Sequence, residues 1–167
     1  MRINEITKQD FKQINEELEH RKVVVRHELL EEVKRTRAFG DLSENFEYKE
    51  AKREKNRNES RIRYLERILK YAKIVEDNSK PDEVGLYDIV EYKIEGETEI
   101  EKVQIVSSMK TDALNAMITK TSPVGQALFG HKIGETHSVL APCGSYNITI
   151  LNITKGSDSA EIPINKY

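Results

Sequence analysis

The first half of the 167-residue chain carries apolar side chains at helical spacing. Over residues 7–39 they recur every three or four positions, and neither glycine nor proline intervenes, as in an amphipathic helix. Thr7 followed by Asp10 is typical of a helix N-cap. Gly40 interrupts this pattern, and a second helical stretch covers residues 43–75. The pattern predicts two helices of about 30 residues joined near Gly40.

The second stretch alternates steps of three and four, which is a heptad a/d register. Two such helices joined by a short turn form an antiparallel coiled-coil hairpin, with each arm about 45–50 Å long at 1.5 Å per residue. The seam is polar at two central positions, so we expect the hairpin to be firmest at its base. The predicted seam consists of Tyr48, Ala51, Lys55, Asn58, Ile62, Leu65, Leu69 and Ala72.

The second half of the chain changes to the alternating pattern of β-strands. A proline and polar residues over 77–83 predict a linker, which divides the chain into a hairpin domain, 1–76, and a small α+β domain, 84–167. The fold class is therefore α+β. Predicted strands cover residues 88–94, 98–106, 116–119, 139–141 and 146–153, and a short helix covers 123–129.

Composition and charge support this division. Hydrophobic residues make up only 37% of the chain and charged residues 34%, which suits a rod with much solvated surface. Residues 1–75 contain 19 Lys and Arg against 15 Asp and Glu, whereas residues 76–167 contain 8 against 14. The net charge of -2 thus combines a basic half with an acidic half, which suggests two modules with different partners.

The sequence also predicts a cytoplasmic protein without membrane association. No apolar run approaches the roughly 20 residues of a membrane span, and the N-terminus lacks the apolar region of a signal peptide. Cys143 is the only cysteine, so no intramolecular disulfide can form. The four histidines, His20, His27, His131 and His137, show no spacing expected to gather a metal ion with carboxylate or cysteine neighbours.

Two carboxylates, Asp41 and Glu44, fall at the predicted hairpin turn. One interpretation is structural: Asp41 caps the second helix and Glu44 completes a capping box. The other is functional: two exposed carboxylates bind a hard cation such as Mg²⁺, whose remaining ligands come from a partner. Spacing alone favours the capping box.

A basic run follows the turn along the second helix, with glutamates interspersed. It is either an ion-paired solvated face or a surface that contacts an RNA backbone. The candidates nearest the turn are Lys49, Lys52, Arg53, Lys55 and Arg57.

Two motifs resemble the signatures of one family. The stretch Gly40-Asp-Leu-Ser-Glu-Asn-Phe-Glu-Tyr-Lys-Glu-Ala-Lys52 resembles the hairpin-tip signature of the Gre transcript-cleavage factors of bacterial RNA polymerase. Ser122-Pro-Val-Gly-Gln-Ala-Leu-Phe-Gly130, followed by Lys132-Ile-Gly134, resembles the second signature of that family. The motifs lie in the expected order, and the resemblance covers nearly the whole chain.

The resemblance implies an FKBP-like C-terminal domain that binds RNA polymerase and a hairpin that enters the polymerase's secondary channel. Asp41 and Glu44 match the acidic pair that supports the polymerase's catalytic magnesium, with Ser43 between them. Ser122, Pro123 and Gly125 fall in the polymerase-binding loop. The implied protein is an accessory factor rather than an enzyme. It stimulates the polymerase's own cleavage of backtracked RNA, acts as a monomer near the nascent RNA 3′ end, and binds no cofactor stably when alone.

The chain departs from the family pattern at Phe46, where a small residue is usual and where we expect altered packing behind the tip. Two alternatives therefore stay open: a divergent paralogue that occupies the channel and regulates or inhibits polymerase without cleavage, and an FKBP-type proline isomerase. The isomerase would need an aromatic-lined pocket, which is difficult to build from Tyr87, Tyr92, Phe129 and Tyr146.

Overall fold

The computed structural model describes residues 4–39, 44–142, 144–158 and 164–165, and these residues form two compact units. One unit, Phe11–Ala72, contains most of a helical hairpin. The other combines Met1–Asp10 with Lys73–Tyr167 and contains the β-strands. The predicted fold class, a helical hairpin followed by a small α+β domain, is confirmed.

The first arm of the hairpin consists of α1 (Lys8–His20), a π-helical turn (Arg21–Val25) and α2 (Arg26–Arg37). The predicted cap is present at its start. The hydroxyl of Thr7 accepts a hydrogen bond from the backbone N–H of Asp10 at 3.0 Å, and a carboxylate oxygen of Asp10 accepts one from the N–H of Thr7 at 3.2 Å. Two amides that have no partner within the helix are thereby satisfied.

The second arm is one helix, α3 (Phe46–Tyr71), which packs against α2. It is shorter than the predicted 43–75, because Asn45 caps its start and the residues after Tyr71 form a strand. Its 26 residues span about 39 Å. The seam prediction is confirmed for four of its eight residues, which are buried, and the other four are half-buried. Two residues outside the predicted seam, Arg61 and Ile68, are buried as well. The buried residues of α3 are Ala51, Asn58, Arg61, Ile62, Leu65 and Ile68.

Two short strands, β1 (Asn4–Ile6) and β2 (Ala72–Ile74), pair with each other on either side of the hairpin in sequence. Neither strand is predicted from the sequence, because residues 72–74 fall inside the stretch assigned to the second helix and residues 4–6 precede the first helix. Residues 4–10 and 73–76 fall in the compact unit that contains the larger sheet, and the domain bounds of 1–76 and 84–167 stay a prediction.

The larger sheet has five strands in the order β5-β4-β3-β7-β6. Neighbouring strands are antiparallel except β4 and β5, which are parallel. A 3₁₀ turn (Ala113–Asn115) precedes β5, and one helix, α4, precedes β6. The elements are β3 (Ile89–Ile94), β4 (Ile100–Val106), β5 (Met117–Thr119), α4 (Pro123–Leu128), β6 (Thr136–Ala141) and β7 (Gly144–Thr154).

The core of this unit is apolar and includes α4, which packs on β6. Alternate strand positions point inward, as the period of two requires. Its fully buried side chains include Val90, Ile105, Leu128, Val139, Ile148 and Ile150.

One charged cluster is buried in the same unit. The Lys110 ammonium is fully buried and lies 3.1 Å from a carboxylate oxygen of Asp10 and 2.8 Å from one of Asp158. The Thr7 hydroxyl donates to Asp158, and the Lys110 ammonium lies 5.3 Å from the centre of the Tyr87 ring. Burial and the nearby Asp10 charge raise the pKa of Tyr87. The cluster joins three separate segments of the chain.

The described residues contain no helix long and apolar enough to cross a bilayer.

Candidate functional site at the hairpin end

The end of the hairpin is organised by Asn45, the N-cap of α3. Its side-chain oxygen accepts a hydrogen bond from the N–H of Tyr48 at 2.9 Å. Its side-chain amide donates to the carbonyl of Thr36 at 2.8 Å and to that of Phe39 at 2.7 Å. One short side chain therefore accepts a hydrogen bond from an N–H at the start of α3 and donates hydrogen bonds to carbonyls at the C-terminal end of α2. Groups at both helix ends lack partners within their own helix. This side chain fixes the two ends relative to each other.

The predicted capping box of Asp41 and Glu44 is wrong, because Asn45 occupies the cap. Asp41 and Ser43 lie outside the described residues. Glu44 is exposed and directly precedes the cap, and within the described part of the chain it makes no hydrogen bond or ion pair. Since α3 begins at Phe46, Glu44 does not occupy the third helical position that the capping-box interpretation gave it.

Phe46 begins α3 and is 81% exposed. The Lys49 ammonium lies 5.5 Å from the centre of its ring, a cation–π distance. The expectation that Phe46 alters the packing behind the tip stays a prediction, since residues 40–43 lie outside the described part of the chain. Phe39, on the other arm, is 56% exposed, and the Arg35 guanidinium lies 5.4 Å from its ring centre. Two aromatic rings thus flank the hairpin end in sequence.

The basic run divides into paired and unpaired side chains. Arg53 lies 3.0 Å from Glu50, and Arg57 pairs with Glu54, so both belong to the ion-paired face that was one of the two interpretations. Lys55 is half-buried. Lys52 is exposed and forms no ion pair with any residue that the structure describes.

The predicted polymerase-binding loop is rigidly built. The Ser122 hydroxyl accepts from the N–H of Gly125 at 3.0 Å and donates to the carbonyl of Thr119 at 2.8 Å, which caps α4. A Cβ on Gly125 would come within 2.0 Å of the Thr119 carbonyl oxygen, so only glycine fits there. Pro123 occupies the first helical turn and is exposed. The loop borders a groove of about 790 Å³ lined partly by Lys120, Ser122 and Phe129.

Two of the four aromatic residues considered for an isomerase pocket are unavailable to form one. Tyr87 and Tyr92 are buried in the core, and burial raises the pKa of Tyr92 to about 12. Rings packed inside the core offer little surface to a proline substrate.

The expectation that the histidines gather no ligand set is wrong. His131, Glu135 and His137 place one ligand atom each within 4.8 Å of one another. The signal was available in Gly130-His-Lys-Ile-Gly-Glu-Thr-His137: the turn returns the chain, and a strand brings Glu135 and His137 to one face.

These features define a class: a two-unit protein with a helical hairpin whose end is fixed by one asparagine, and a small α+β unit. Residues 4–74 match the family described as "Transcription elongation factor, N-terminal", and residues 78–155 match "Transcription elongation factor, GreA/GreB, C-term". The chain belongs to the GreA/GreB family of transcription elongation factors.

Named relatives agree with this assignment. Transcription elongation factor GreA of Caldanaerobacter subterraneus is 46% identical over 153 residues, with 90% of this chain and 96% of that protein covered. GreA of Thermoanaerobacter pseudethanolicus is 43% identical over 151 residues, with 90% and 96% covered. The solved structure of GreA factor homolog 1 of Thermus thermophilus is 29% identical, with 92% of this chain and 100% of that chain covered, at a TM-score of 0.44. The family membership therefore rests on sequence.

Proposed function

We propose that this chain binds RNA polymerase, inserts its hairpin into the secondary channel and stimulates the polymerase's intrinsic cleavage of backtracked RNA. The observation that carries the proposal is Glu44, an exposed carboxylate held directly beside the Asn45 cap and without a structural partner among the described residues. Family membership supplies the partner class. The chain itself is an accessory factor that acts as a monomer, and the bonds are broken in the polymerase.

The donor set at the hairpin end suits magnesium. Asp41 and Glu44 offer carboxylate oxygens, and Mg²⁺ is commonly held by one or two carboxylates together with groups of a substrate or partner. Magnesium shared with the polymerase would polarise the RNA phosphate and favour attack by water. The roles of this chain's residues are to present the two carboxylates and to restrict their motion, with Ser43 between them as a supporting hydroxyl.

Asn45 is the residue that restricts the motion of the hairpin end. Its hydrogen bonds to Thr36, Phe39 and Tyr48 leave the residue after Glu44 little freedom. A correctly held group contributes far more to a reaction than a freely moving one. Anchoring the other unit on the polymerase then makes delivery of the hairpin end intramolecular, with an effective concentration that can reach the millimolar range.

Ser122, Pro123 and Gly125 are the proposed anchor. The two hydrogen bonds of the Ser122 hydroxyl and the close approach of Gly125 to Thr119 hold this loop in one conformation. A preformed loop has little conformational entropy to lose on binding. The exposed Pro123 ring is the apolar part of this surface.

The decisive experiment combines Asp41→Asn with Glu44→Gln and follows transcript cleavage in backtracked elongation complexes. We expect stimulated cleavage to be lost while binding to polymerase is retained. Glu47→Gln is the matched control, because it removes an exposed carboxylate from the first turn of α3. Normal cleavage by the double variant would refute the carboxylate role. Slowed nucleotide addition without shortened RNA, for the unmodified protein, would instead establish a channel-occupying inhibitor.

The contact with nascent RNA is proposed for Lys49, Lys52, Arg53, Lys55 and Arg57, with Lys52 the strongest candidate because it lacks an ion pair within the described residues. We expect Lys52→Ala combined with Arg53→Ala to weaken crosslinking to the RNA 3′ end. The salt dependence of binding should fall by about 0.7 in logarithmic slope for each RNA phosphate that the variant no longer neutralises. Arg63→Ala with Lys70→Ala, farther along α3, is the matched control. An equal effect from that pair would assign the change to total charge.

A further inference from the structure

A cluster of three potential metal ligands lies in the α+β unit, in a part of the chain for which the proposed function has no use. His131 follows α4, Glu135 ends the next turn, and His137 lies on β6. We propose that His131, Glu135 and His137 form a binding site for a divalent transition-metal ion, with Zn²⁺ the best fit.

The distances between ligand atoms suit a small ion. Glu135 Oε2 lies 3.2 Å from His131 Nδ1 and 3.0 Å from His137 Nε2. Tetrahedral zinc with bonds of about 2.0–2.2 Å requires ligand atoms roughly 3.3–3.5 Å apart. The carboxylate oxygen therefore needs to move only a few tenths of an ångström from each nitrogen. The imidazole rings stack with centroids 3.6 Å apart and 28° between their planes, so both rings lie together beside the Glu135 carboxylate.

The backbone holds all three residues in place. The carbonyl of His131 accepts from Val84 at 2.9 Å, and the carbonyl of Glu135 accepts from Ile150 at 3.0 Å. His137 pairs with Ile148 in the β6–β7 ladder. The N–H of Lys132 also donates to Glu135 Oε2 at 3.2 Å, which orients the carboxylate. Such outer contacts fix the orientation of ligands and raise their affinity for a metal.

The charges around the cluster also suit a cation. The Glu135 carboxylate supplies the negative charge of the cluster, and the His137 ring and the backbone N–H of Lys132 both contact it. The adjacent Lys132 ammonium is directed to Asp82, 2.8 Å away. The Lys132 ammonium therefore does not neutralise the Glu135 carboxylate.

The type of ligand selects the metal. Two imidazoles with one carboxylate suit zinc and related transition metals, whereas magnesium prefers oxygen donors alone. The side chains of His131, Glu135 and His137 are 35, 44 and 29% exposed, so an ion could enter from solvent and keep a fourth position for water. This site is thus chemically distinct from the carboxylates of the hairpin end, and its existence does not depend on transcript cleavage.

The test is a titration of the untagged full-length protein with Zn²⁺, followed by calorimetry and by thermal unfolding. We expect binding of one equivalent and a raised melting temperature, since an ion that binds only the folded state stabilises it. Glu135→Gln and His137→Gln should each weaken binding at least roughly tenfold. His20→Gln with His27→Gln, which removes two histidines from the hairpin arm, should leave binding unchanged.

A spectroscopic measurement on the unmodified protein makes the test independent of how the variants fold. Zinc should shift the imidazole proton resonances of His131 and His137 and leave those of His20 and His27 in place. Co²⁺ should give the visible absorption of a tetrahedral complex. The proposal is refuted if no stoichiometric binding occurs, if the resonances of His131 and His137 do not move, or if the hairpin histidines account for the binding.

Discussion

The two compact units are stabilised by different chemistry. The sheet unit buries a continuous set of aliphatic side chains, including Val90, Ile105 and Ile150, and such burial has little dependence on pH or salt. The hairpin has an apolar seam only in part, because Asn58 and Arg61 are buried within it. Its stability therefore depends on satisfying polar groups as well as on removing apolar surface from water.

The polar seam is fully engaged. Arg61 donates to both oxygens of Glu17 at 2.9 and 2.8 Å, and Arg21 also donates to Glu17, at 2.7 Å. The Asn58 side-chain oxygen accepts from Arg21 at 3.1 Å. Directional groups of this kind fix the register between two helices more strictly than leucines do. The hairpin therefore aligns its two arms by polar contacts as well as by apolar packing.

The largest loss of stability is expected when the buried charged cluster of the sheet unit is broken, because this cluster depends on polar contacts as the hairpin seam does. Lys110→Met keeps the volume of the side chain but leaves the fully buried Asp10 carboxylate without its cation. Breaking a buried ion pair in this way typically costs about 3–5 kcal/mol. We expect a loss of that size in chemical denaturation, with amide exchange accelerated in the sheet unit. Lys102→Met, which removes an exposed lysine paired with Glu91, is the control. A loss no greater than that of the control would show that the cluster contributes little.

A smaller effect is expected in the hairpin from Arg61→Met. The variant removes two charge-assisted hydrogen bonds, each worth about 1.5–3 kcal/mol at most, but Glu17 retains Arg21 and partial access to solvent. Amide exchange should increase in α1 and α3 and stay unchanged in the sheet unit. Arg63→Met tests the exposed face of the same helix, where the Arg63 guanidinium donates to the Ser60 hydroxyl at 3.0 Å. Equal exchange rates in the two variants would mean that the seam is held by its leucines and isoleucines alone.

Asn45→Ala should have a smaller and more local effect. Loss of a helix N-cap costs about 0.5–2 kcal/mol, and this variant also removes the side-chain donor to the Phe39 carbonyl and one of the donors to the Thr36 carbonyl. Asn45→Asp separates the two roles, since its carboxylate can accept from Tyr48 but cannot donate. We expect exchange in the first turn of α3 to rise in the alanine variant and to recover in the aspartate variant. Full recovery of transcript cleavage by Asn45→Asp would show that the bonds to α2 are unimportant for positioning Glu44.

The sequence predicted the elements that are long and periodic, and failed where the determining contacts are local or distant in sequence. The α3 seam and the strands β3 and β4 follow from spacing. Asn45 was missed as the cap because Asp41 and Glu44 fit a capping box equally well by type, and only the position of α2 decides between them. The pair β1 and β2 was missed because residues 72–74 continue the helical spacing of the second arm and β1 is an isolated short segment before the first helix.

The sequence also failed to predict which charged residues are buried. Lys110, Asp10 and Asp158 are far apart in sequence, and nothing in composition distinguishes them from solvated residues. Arg61 is one of the basic residues along the second helix in sequence, yet its guanidinium lies in the seam against Glu17. The histidine cluster was missed because it requires a turn to bring His131 back to Glu135. In each case the pairing is a property of the folded chain, which periodicity does not encode.

The smallest and most specific effect concerns pH. Although burial alone would raise it, hydrogen bonds from Arg61 and Arg21 hold the pKa of Glu17 below its ordinary value of 4.5. A carboxyl whose pKa is lower in the folded state stabilises the fold above its unfolded pKa, and this contribution is lost as pH falls through the folded value. The hairpin should therefore lose stability below about pH 4.5, as measured by helical circular dichroism during denaturation at successive pH values.

Glu17→Gln removes this titration, so the variant should be less stable at neutral pH but should lose less stability on acidification. Glu31→Gln is the matched control, because Glu31 also has a lowered pKa, through Lys34, but lies on the exposed face. A pair in solvent contributes little to stability, so its removal should leave the pH profile nearly unchanged. If the two variants change the profile equally, the acid sensitivity belongs to the surface charge of the hairpin and not to its seam.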